Sequence, residues 1–355
     1  MRGMPATELD VRYCDRQAAT IQNDDLRLTV LRQGGHIAEI RDKATGVNPL
    51  WTPPWRSIEL SEYSATTHPE FGSGSDARLL AGIMGHNLCL DLFGGPSHEE
   101  AVAGIPAHGE ASVAAYEIAT ADSSLVMRAT LERAQLSVER RIHLKGRTVH
   151  IRETVANLAS FDRPVGWTEH VTLGPPFLEK GATELRASAT RSKVFEGEFG
   201  AHDYLQRGAD FDWPLAPASD GDRLVDLQRV ADVPASTAYT AHRMNPNRAA
   251  FFVAFSPASK LAFGYVWQPS DFPWMGIWEE NASRTHSPWN GRTLTRGMEF
   301  GVSPFPESRR EMVARGRLFD TQTYRWLPAR GLITVDYCAM TRAADVIPES
   351  LEWPT

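Results

Sequence analysis

The feature that most constrains this chain is a block of three segments in which apolar and polar residues alternate, separated by tight turns. The segments span residues 124–132, 135–145 and 148–158. In the third segment Val149, Ile151 and Val155 fall on one face, because successive side chains of a strand point to opposite faces. The block therefore predicts three consecutive antiparallel strands.

Further short strands are expected on both sides of this block. One hairpin is predicted from 26–31 and 36–42, which flank a Gly-Gly pair, and another from 249–257 and 260–269. Long helical periodicity is scarce, and 27 glycines and 23 prolines interrupt the chain at many points. We therefore predict an all-β fold, a large antiparallel β-sandwich of packed sheets.

The organisation of the chain favours one domain. Its 355 residues can bury a large core, and no shift in composition or internal repeat marks a second unit. We expect residues 1–20 to form an N-terminal leader strand or loose tail, residues 21–345 the single β-sandwich catalytic domain, and residues 346–355 a C-terminal tail.

Charge and composition disfavour several classes of partner. A net charge of -7 and a pI near 5.9 argue against nucleic acid or an anionic membrane, both of which attract a basic face. The N-terminus lacks the apolar run of a signal peptide, and no stretch approaches the roughly 18 apolar residues of a membrane span. Three widely spaced cysteines are expected to stay reduced. These features predict a soluble cytoplasmic protein and are compatible with a neutral ligand.

Four histidines in surroundings rich in glycine or proline are candidates for a functional site, namely His86, His98, His108 and His170. Pro106 stiffens the approach to His108, and Gly109 allows close approach of backbone or ligand. His170 lies in a predicted strand over 163–173, on the face opposite Trp167. A core histidine bonded to backbone is the alternative interpretation for His170.

A carboxylate near the C-terminal end of the chain is a candidate general base. Glu299 is flanked by Met298 and Phe300, with Gly297 and Gly301 outside them. If the two apolar side chains face one way in a strand, Glu299 faces the other. It lies either at a solvated edge or beside imidazoles, where it would serve as a general base.

The motifs that would indicate metal or cofactor chemistry are missing from the sequence. There is no H-x-H, no H-E-x-x-H and no compact ligand spacing, so a metal site is disfavoured. There is also no G-x-S-x-G, G-x-G-x-x-G or phosphate-binding loop, and no cofactor is expected. Acid–base catalysis by two imidazoles and a carboxylate is the chemistry that these residues favour.

A group of tryptophans indicates the kind of ligand. Trp274, Trp278 and Trp289 stand close in sequence to polar residues such as Glu279 and Arg284. Aromatic faces beside hydrogen-bonding groups suit sugar rings, which have apolar C–H faces and hydroxyl edges. The alternative is that these tryptophans belong to the core.

Four stretches, in order over residues 20–310, together resemble the galactose mutarotase (aldose 1-epimerase) superfamily. The first, 22–51, resembles the opening hairpin of that family, with its Gly-Gly turn and an ending "GVNPLW". The second, 92–111 with "GIPAHGEA", resembles the loop that carries a first catalytic histidine. The third, 153–173 with "GWTEHVTL", resembles the segment with a second histidine, and the fourth, 291–305 with "GMEFGVSPF", the strand with a catalytic glutamate.

The resemblance implies a fold and a set of roles. The fold is a large antiparallel β-sandwich with the site in a groove on a concave face. Glu299 would be the general base on the anomeric hydroxyl and His170 the general acid on the ring oxygen, while His108 would position the substrate and polarise that oxygen. The implied activity is cofactor-free interconversion of the anomers of a free aldose, a small-molecule carbohydrate.

The chain also departs from the family pattern. Many relatives carry an arginine just before the first-histidine loop, whereas residues 83–87 contain none, which argues against a sugar phosphate. His86 or Asn87 is expected to substitute. The full set of expected substrate-binding residues is His86, Asn87, Trp278, Glu279, Arg284 and Trp289. Two other functions stay open: a non-catalytic carbohydrate-binding protein, and an epimerase or lyase that acts on a modified sugar on the same fold.

Overall fold

The strands of the protein follow one another along almost the whole chain. The computed structural model describes residues 5–354. The first twelve strands are β1 Ala6–Tyr13, β2 Arg16–Gln22, β3 Leu26–Leu31, β4 Ile37–Asp42, β5 His86–Asp91, β6 Glu117–Ala121, β7 Ser124–Leu131, β8 Leu136–Lys145, β9 Thr148–Asn157, β10 Arg163–Leu173, β11 Glu184–Ala187 and β12 Ala189–Val194.

The second half of the chain repeats this pattern of short antiparallel strands. These strands are β13 Asp210–Asp212, β14 Leu215–Pro217, β15 Leu224–Asp226, β16 Ser236–Met244, β17 Ala250–Ser256, β18 Leu261–Trp267, β19 Trp274–Asn281, β20 Leu294–Gly301, β21 Arg317–Leu318, β22 Thr321–Gln322, β23 Arg325–Leu327 and β24 Leu332–Ala343. The helices are short: α1 Ala77–Leu80, α2 His98–Val102, α3 Arg309–Arg315, and the 3₁₀ helices Pro69–Phe71 and Glu110–Ser112.

Two large antiparallel sheets contain most of these strands. The larger has twelve strands in the order β1-β2-β3-β4-β5-β10-β20-β19-β16-β12-β13, with β23 also paired to β10. The smaller has eight in the order β11-β17-β18-β24-β9-β8-β7-β6. The three-strand block and both predicted hairpins form as expected. The prediction of a large antiparallel β-sandwich is confirmed.

The main hydrophobic core lies between the two sheets. It takes every second side chain from strands of each sheet, because only one face of a strand can point inward. Members of this core from the two sheets include Leu90, Trp167, Met298, Phe300, Ile142, Ile151, Phe252 and Tyr265.

A buried ionic network interrupts this core. Arg140 Nε donates to Glu153 Oε1 at 3.0 Å, and Arg140 Nη2 donates to Glu169 Oε2 at 3.0 Å. The same Glu169 oxygen accepts a bond from the Tyr337 hydroxyl at 2.8 Å and lies 2.7 Å from His86 Nε2. These groups are withdrawn from water and bond to one another, which is the condition under which buried charge is tolerated, although Glu153 Oε2 is left without a hydrogen bond.

The outer face of the larger sheet is covered by long connections. Residues from 43–85 and 92–116 pack there against strand residues such as Tyr239 and Trp278 in a second apolar cluster. Alternate side chains of β5, β10, β19 and β20 therefore point into a space roofed by loops. That space holds the candidate site.

The two ends of the chain pack on the sandwich. Residues 6–20 of the expected leader form β1 and most of β2 at one edge of the larger sheet, and Ile347 and Leu351 of the expected tail pack against the smaller sheet. Residues 1–4 of the leader and residue 355 of the tail lie outside the described residues. The division into leader, domain and tail stays a prediction. Within 5–354 no helix has the length and apolar character needed to cross a membrane.

Candidate active site

The centre of the site is a histidine and a glutamate on neighbouring strands. Glu169 of β10 lies opposite Phe300 of β20, so the next residues, His170 and Glu299, are neighbours on the outer face. His170 Nε2 lies 3.0 Å from Glu299 Oε1. Both side chains face away from the core that holds Phe300, as the alternation predicted. The pairing of the two strands thus brings an acid–base pair into contact.

Two glycines make room for this carboxylate. A Cβ at Gly297 would lie 2.5 Å from Glu299 Oε1, and a Cβ at Gly276 would lie 1.9 Å from the Tyr239 hydroxyl oxygen. Gly276 is the cross-strand partner of Glu299. The absence of both side chains lets the carboxylate and the phenol lie flat on the sheet beside each other.

The carboxylate of Glu299 has an imidazole as its nearest polar neighbour. Glu299 Oε1 is buried and, within residues 5–354, makes no well-aligned hydrogen bond, although His170 Nε2 lies 3.0 Å from it. Burial, and next the charge of Glu299, raise the pKa of Tyr239 well above its ordinary value, so the phenol stays protonated. A buried carboxylate in contact with an imidazole suits a general base.

His108 is held over this pair by its loop. Its backbone N–H donates to the Gly94 carbonyl at 3.0 Å, and its own carbonyl accepts from the Leu90 N–H of β5 at 3.2 Å. The next residue, Gly109, has φ of 76°, and a Cβ there would lie 1.9 Å from the Leu90 carbonyl oxygen. Glycine is required at this position. The His108 ring centroid lies 5.0 Å from that of His170.

The surroundings of His108 keep it neutral. Burial first, and then the neighbouring His170, hold its pKa well below the ordinary value. Its Nδ1 lies 3.1 Å from Cys89 Sγ, at the base of the site. His108 is thus a hydrogen-bonding group rather than a source of protons.

These side chains line a small cavity of about 120 Å³. Its volume is below the roughly 300–1,000 Å³ of sites for drug-sized ligands, so it suits a small ring. Beyond the three catalytic candidates, Tyr239, Asp76 and Arg284 supply its polar groups. The apolar wall comes from Leu79, Leu80, Ile83, Phe93, Phe199 and Pro306.

Aromatic rings form another part of the wall. Trp278 and Trp289 both line the cavity, and their ring centroids are 6.2 Å apart in an edge-to-face arrangement. Arg284 lies over Trp289 with its guanidinium carbon 4.7 Å from the ring centroid. Its Nε is 3.4 Å from Glu280 Oε2, so its charge is partnered inside the protein. Trp274 is buried elsewhere and donates to the Gln322 carbonyl.

Of the expected site residues, His108, His170, Glu299, Trp278, Arg284 and Trp289 line one cavity. Three expected substrate-binding residues lie outside it. His86 and Glu279 point into the sandwich, where Glu279 pairs with Arg296. Asn87 is on the face of His170 but is completely buried. His86 and Glu279 each stand two residues from a side chain of the core, Leu88 and Ile277 respectively, and residues two apart in a strand share a face. That spacing is the signal that would have placed both side chains on the inner face.

The cavity contains residues that the sequence did not indicate. Tyr239, Phe93 and Phe199 come from separate parts of the chain, and no local pattern distinguishes them from core aromatics. His98 is exposed at the start of α2 and does not line the cavity. Among the residues that the structure describes, no cluster of three or more histidine, cysteine or carboxylate groups is arranged to hold a metal ion.

The fold is that of the galactose mutarotase-like proteins. A protein of Klebsiella pneumoniae that is provisionally described as an aldose 1-epimerase has a TM-score of 0.64 and 13% identity, over 96% of this chain and 84% of that chain. No family model and no curated protein match the sequence.

Two further solved structures are similar over nearly their whole length. A galactose mutarotase-like protein of Clostridium acetobutylicum has a TM-score of 0.60 at 11% identity, over 96% of this chain and 99% of that chain. A galactose mutarotase related enzyme of Lactobacillus acidophilus has a TM-score of 0.58 at 12% identity, over 94% of this chain and 100% of that chain. The shared feature is the fold, and the function of this chain rests on its own residues.

Proposed function

We propose that this protein is a sugar mutarotase, which interconverts the anomers of a free aldose by acid–base opening of the ring. The observation that carries the proposal is the 3.0 Å contact between His170 Nε2 and Glu299 Oε1 in a cavity roofed by His108. The hydroxyl and ring oxygens of a cyclic hemiacetal share one carbon, so an acid and a base that touch each other can serve both oxygens.

The reaction requires that one proton is removed from the sugar and another is added to it. Glu299 accepts the proton of the anomeric hydroxyl while His170 donates a proton to the ring oxygen, and the bond between C1 and the ring oxygen breaks. Rotation about C1–C2 presents the other face of the aldehyde, and the ring closes with the two roles reversed. Each acid–base group contributes about 10²–10⁴ in rate.

The charge of the cavity favours a neutral sugar. Arg284 is the one arginine or lysine among the described residues that line it, and Glu280 already partners its side chain. The edge-to-face rings of Trp278 and Trp289 offer aromatic surface that suits the C–H face of a sugar ring. A phosphate or carboxylate would have to compete with Glu280 for the guanidinium.

The test is anomer-resolved proton NMR on freshly dissolved α-glucose, α-galactose and a panel of other aldoses. Wild type is expected to speed equilibration above the buffer rate, and Glu299→Gln to lose about 10²–10⁴ of that acceleration. Glu153→Gln is the matched control, because it changes a buried carboxylate that lies between the sheets and does not line the cavity.

The outcomes separate the candidate functions. Full activity in Glu299→Gln would remove Glu299 from the mechanism. Binding of sugars without any acceleration by wild type would favour the non-catalytic carbohydrate-binding protein. A protein that neither binds nor accelerates any aldose of the panel contradicts the proposal and favours a modified sugar.

A further inference from the structure

The side chain of Cys89 lies against Nδ1 of His108, a residue that lines the cavity. In β5 it shares a face with Asn87, while Leu88 and Leu90 point into the core between the sheets. Its sulfur lies 3.1 Å from His108 Nδ1 and 3.8 Å from Asn87 Oδ1. Cys89 is completely buried, so only these neighbours decide where its proton points.

The contact is a consequence of the backbone rather than of a mobile side chain. His108 has φ of 64°, and its carbonyl accepts a hydrogen bond from the N–H of Leu90, the residue after Cys89. A second backbone bond ties the His108 N–H to Gly94. The loop that carries His108 is therefore attached to β5, and its backbone is held beside the Cys89 thiol.

The direction of the hydrogen bond follows from the donors available. Burial, and next the charges of Glu299 and Glu169, keep the pKa of Cys89 well above its ordinary value, so the sulfur carries its proton. The neutral ring of His108 has one N–H and one acceptor nitrogen. Of the two acceptors that the thiol can reach, the imidazole nitrogen is the nearer and the more basic.

We propose that Cys89 is a positioning residue: its S–H donates to His108 Nδ1, which fixes the tautomer of His108 with the N–H on Nε2, facing the cavity. His108 then presents a permanent donor to the sugar ring oxygen, while His170 and Glu299 exchange the protons. The opposite tautomer would present an acceptor, which repels the lone pairs of that oxygen. The effect on turnover rests on the proposed mutarotase function, whereas the tautomer does not.

The tautomer is measured directly by long-range proton–nitrogen NMR on protein labelled with ¹⁵N-histidine. The His108 signals are identified by their loss in His108→Gln. In wild type we expect Nε2 to carry the proton and Nδ1 to resonate as an unprotonated acceptor. A protonated Nδ1 in neutral His108 overturns the proposal.

Variants then test whether the Cys89 thiol sets the tautomer of His108. Cys89→Ala removes the donor and is expected to give a mixed tautomer for His108 and a 3–10-fold fall in kcat/KM, the effect of one hydrogen bond. Cys89→Ser retains a donor and is expected to restore the Nε2–H tautomer. Cys338→Ala is the matched control, because that thiol lies 3.5 Å from His150 Nδ1, outside the cavity.

The results distinguish the two proposals. An unchanged His108 tautomer in Cys89→Ala shows that the thiol does not set it and overturns the inference. A wild-type protein without mutarotase activity but with the expected tautomer and the expected response to Cys89→Ala contradicts the proposed function alone.

Discussion

The substitution Gly297→Ala should separate catalysis from folding. The new Cβ would lie 2.5 Å from Glu299 Oε1, which must retreat by roughly 0.9 Å to reach an ordinary contact of 3.4 Å. Trp278 Cβ, 2.9 Å away, allows little relief by the backbone. Displacement of a catalytic group by about 1 Å can cost about 10²-fold in rate, so kcat/KM should fall by about 100-fold.

The stability of Gly297→Ala should change much less than its activity. The clash is chiefly with the end of a flexible side chain, and overpacking of this kind costs about 1–3 kcal/mol in the free energy of unfolding. Anomer-resolved NMR gives the rate, and urea denaturation gives the stability. Gly95→Ala is the control, because its Cβ meets nothing within 4 Å. A kcat/KM within twofold of wild type in folded Gly297→Ala would refute the argument that the position of Glu299 matters.

Two further predictions concern stability. Burial lowers the pKa of His36 to about 3, so as pH falls the unfolded chain takes up this proton first, near 6.5, and stability is lost between about pH 6.5 and 3. In His36→Gln the slope of unfolding free energy against pH, from urea denaturation between pH 6 and 4, should be smaller by about 1.4 kcal/mol per unit; an unchanged slope contradicts this. Arg140→Met leaves Glu153 and Glu169 buried without their cation, and should cost about 3–5 kcal/mol. Arg152→Met, in an exposed ion pair, should cost less than about 1 kcal/mol, and equal losses in both variants would refute the argument.

The alternation of side chains along single strands was predictable because it is a local property. The apolar neighbours of Glu299 and the position of Trp167 relative to His170 were enough to place both candidates on the outer face. The same rule would have turned His86 and Glu279 toward the core. His86 was expected in the site as a substitute for the arginine of the family pattern, and Glu279 as a hydrogen-bonding group close to the tryptophans. Neither argument used the alternation of side chains along the strand.

Nothing local in the sequence could show which strands become neighbours. His170 and Glu299 meet because β10 pairs with β20, which is far along the chain, and that pairing is decided by the packing of whole sheets. The contact of Cys89 with His108 likewise depends on where one loop crosses β5.

The sequence by itself therefore determined the all-β class, the strands of the central block and the faces on which His170 and Glu299 lie, because each follows from spacing within a few residues. Only the tertiary structure decided which polar groups share a cavity and which lie between the sheets. The physical reason is that burial and contact depend on neighbours contributed by distant strands, such as Tyr239 beside Glu299 or Glu169 beside Arg140. A histidine or a glutamate thus lines the cavity on one side of the sheet and belongs to a buried ionic network on the other.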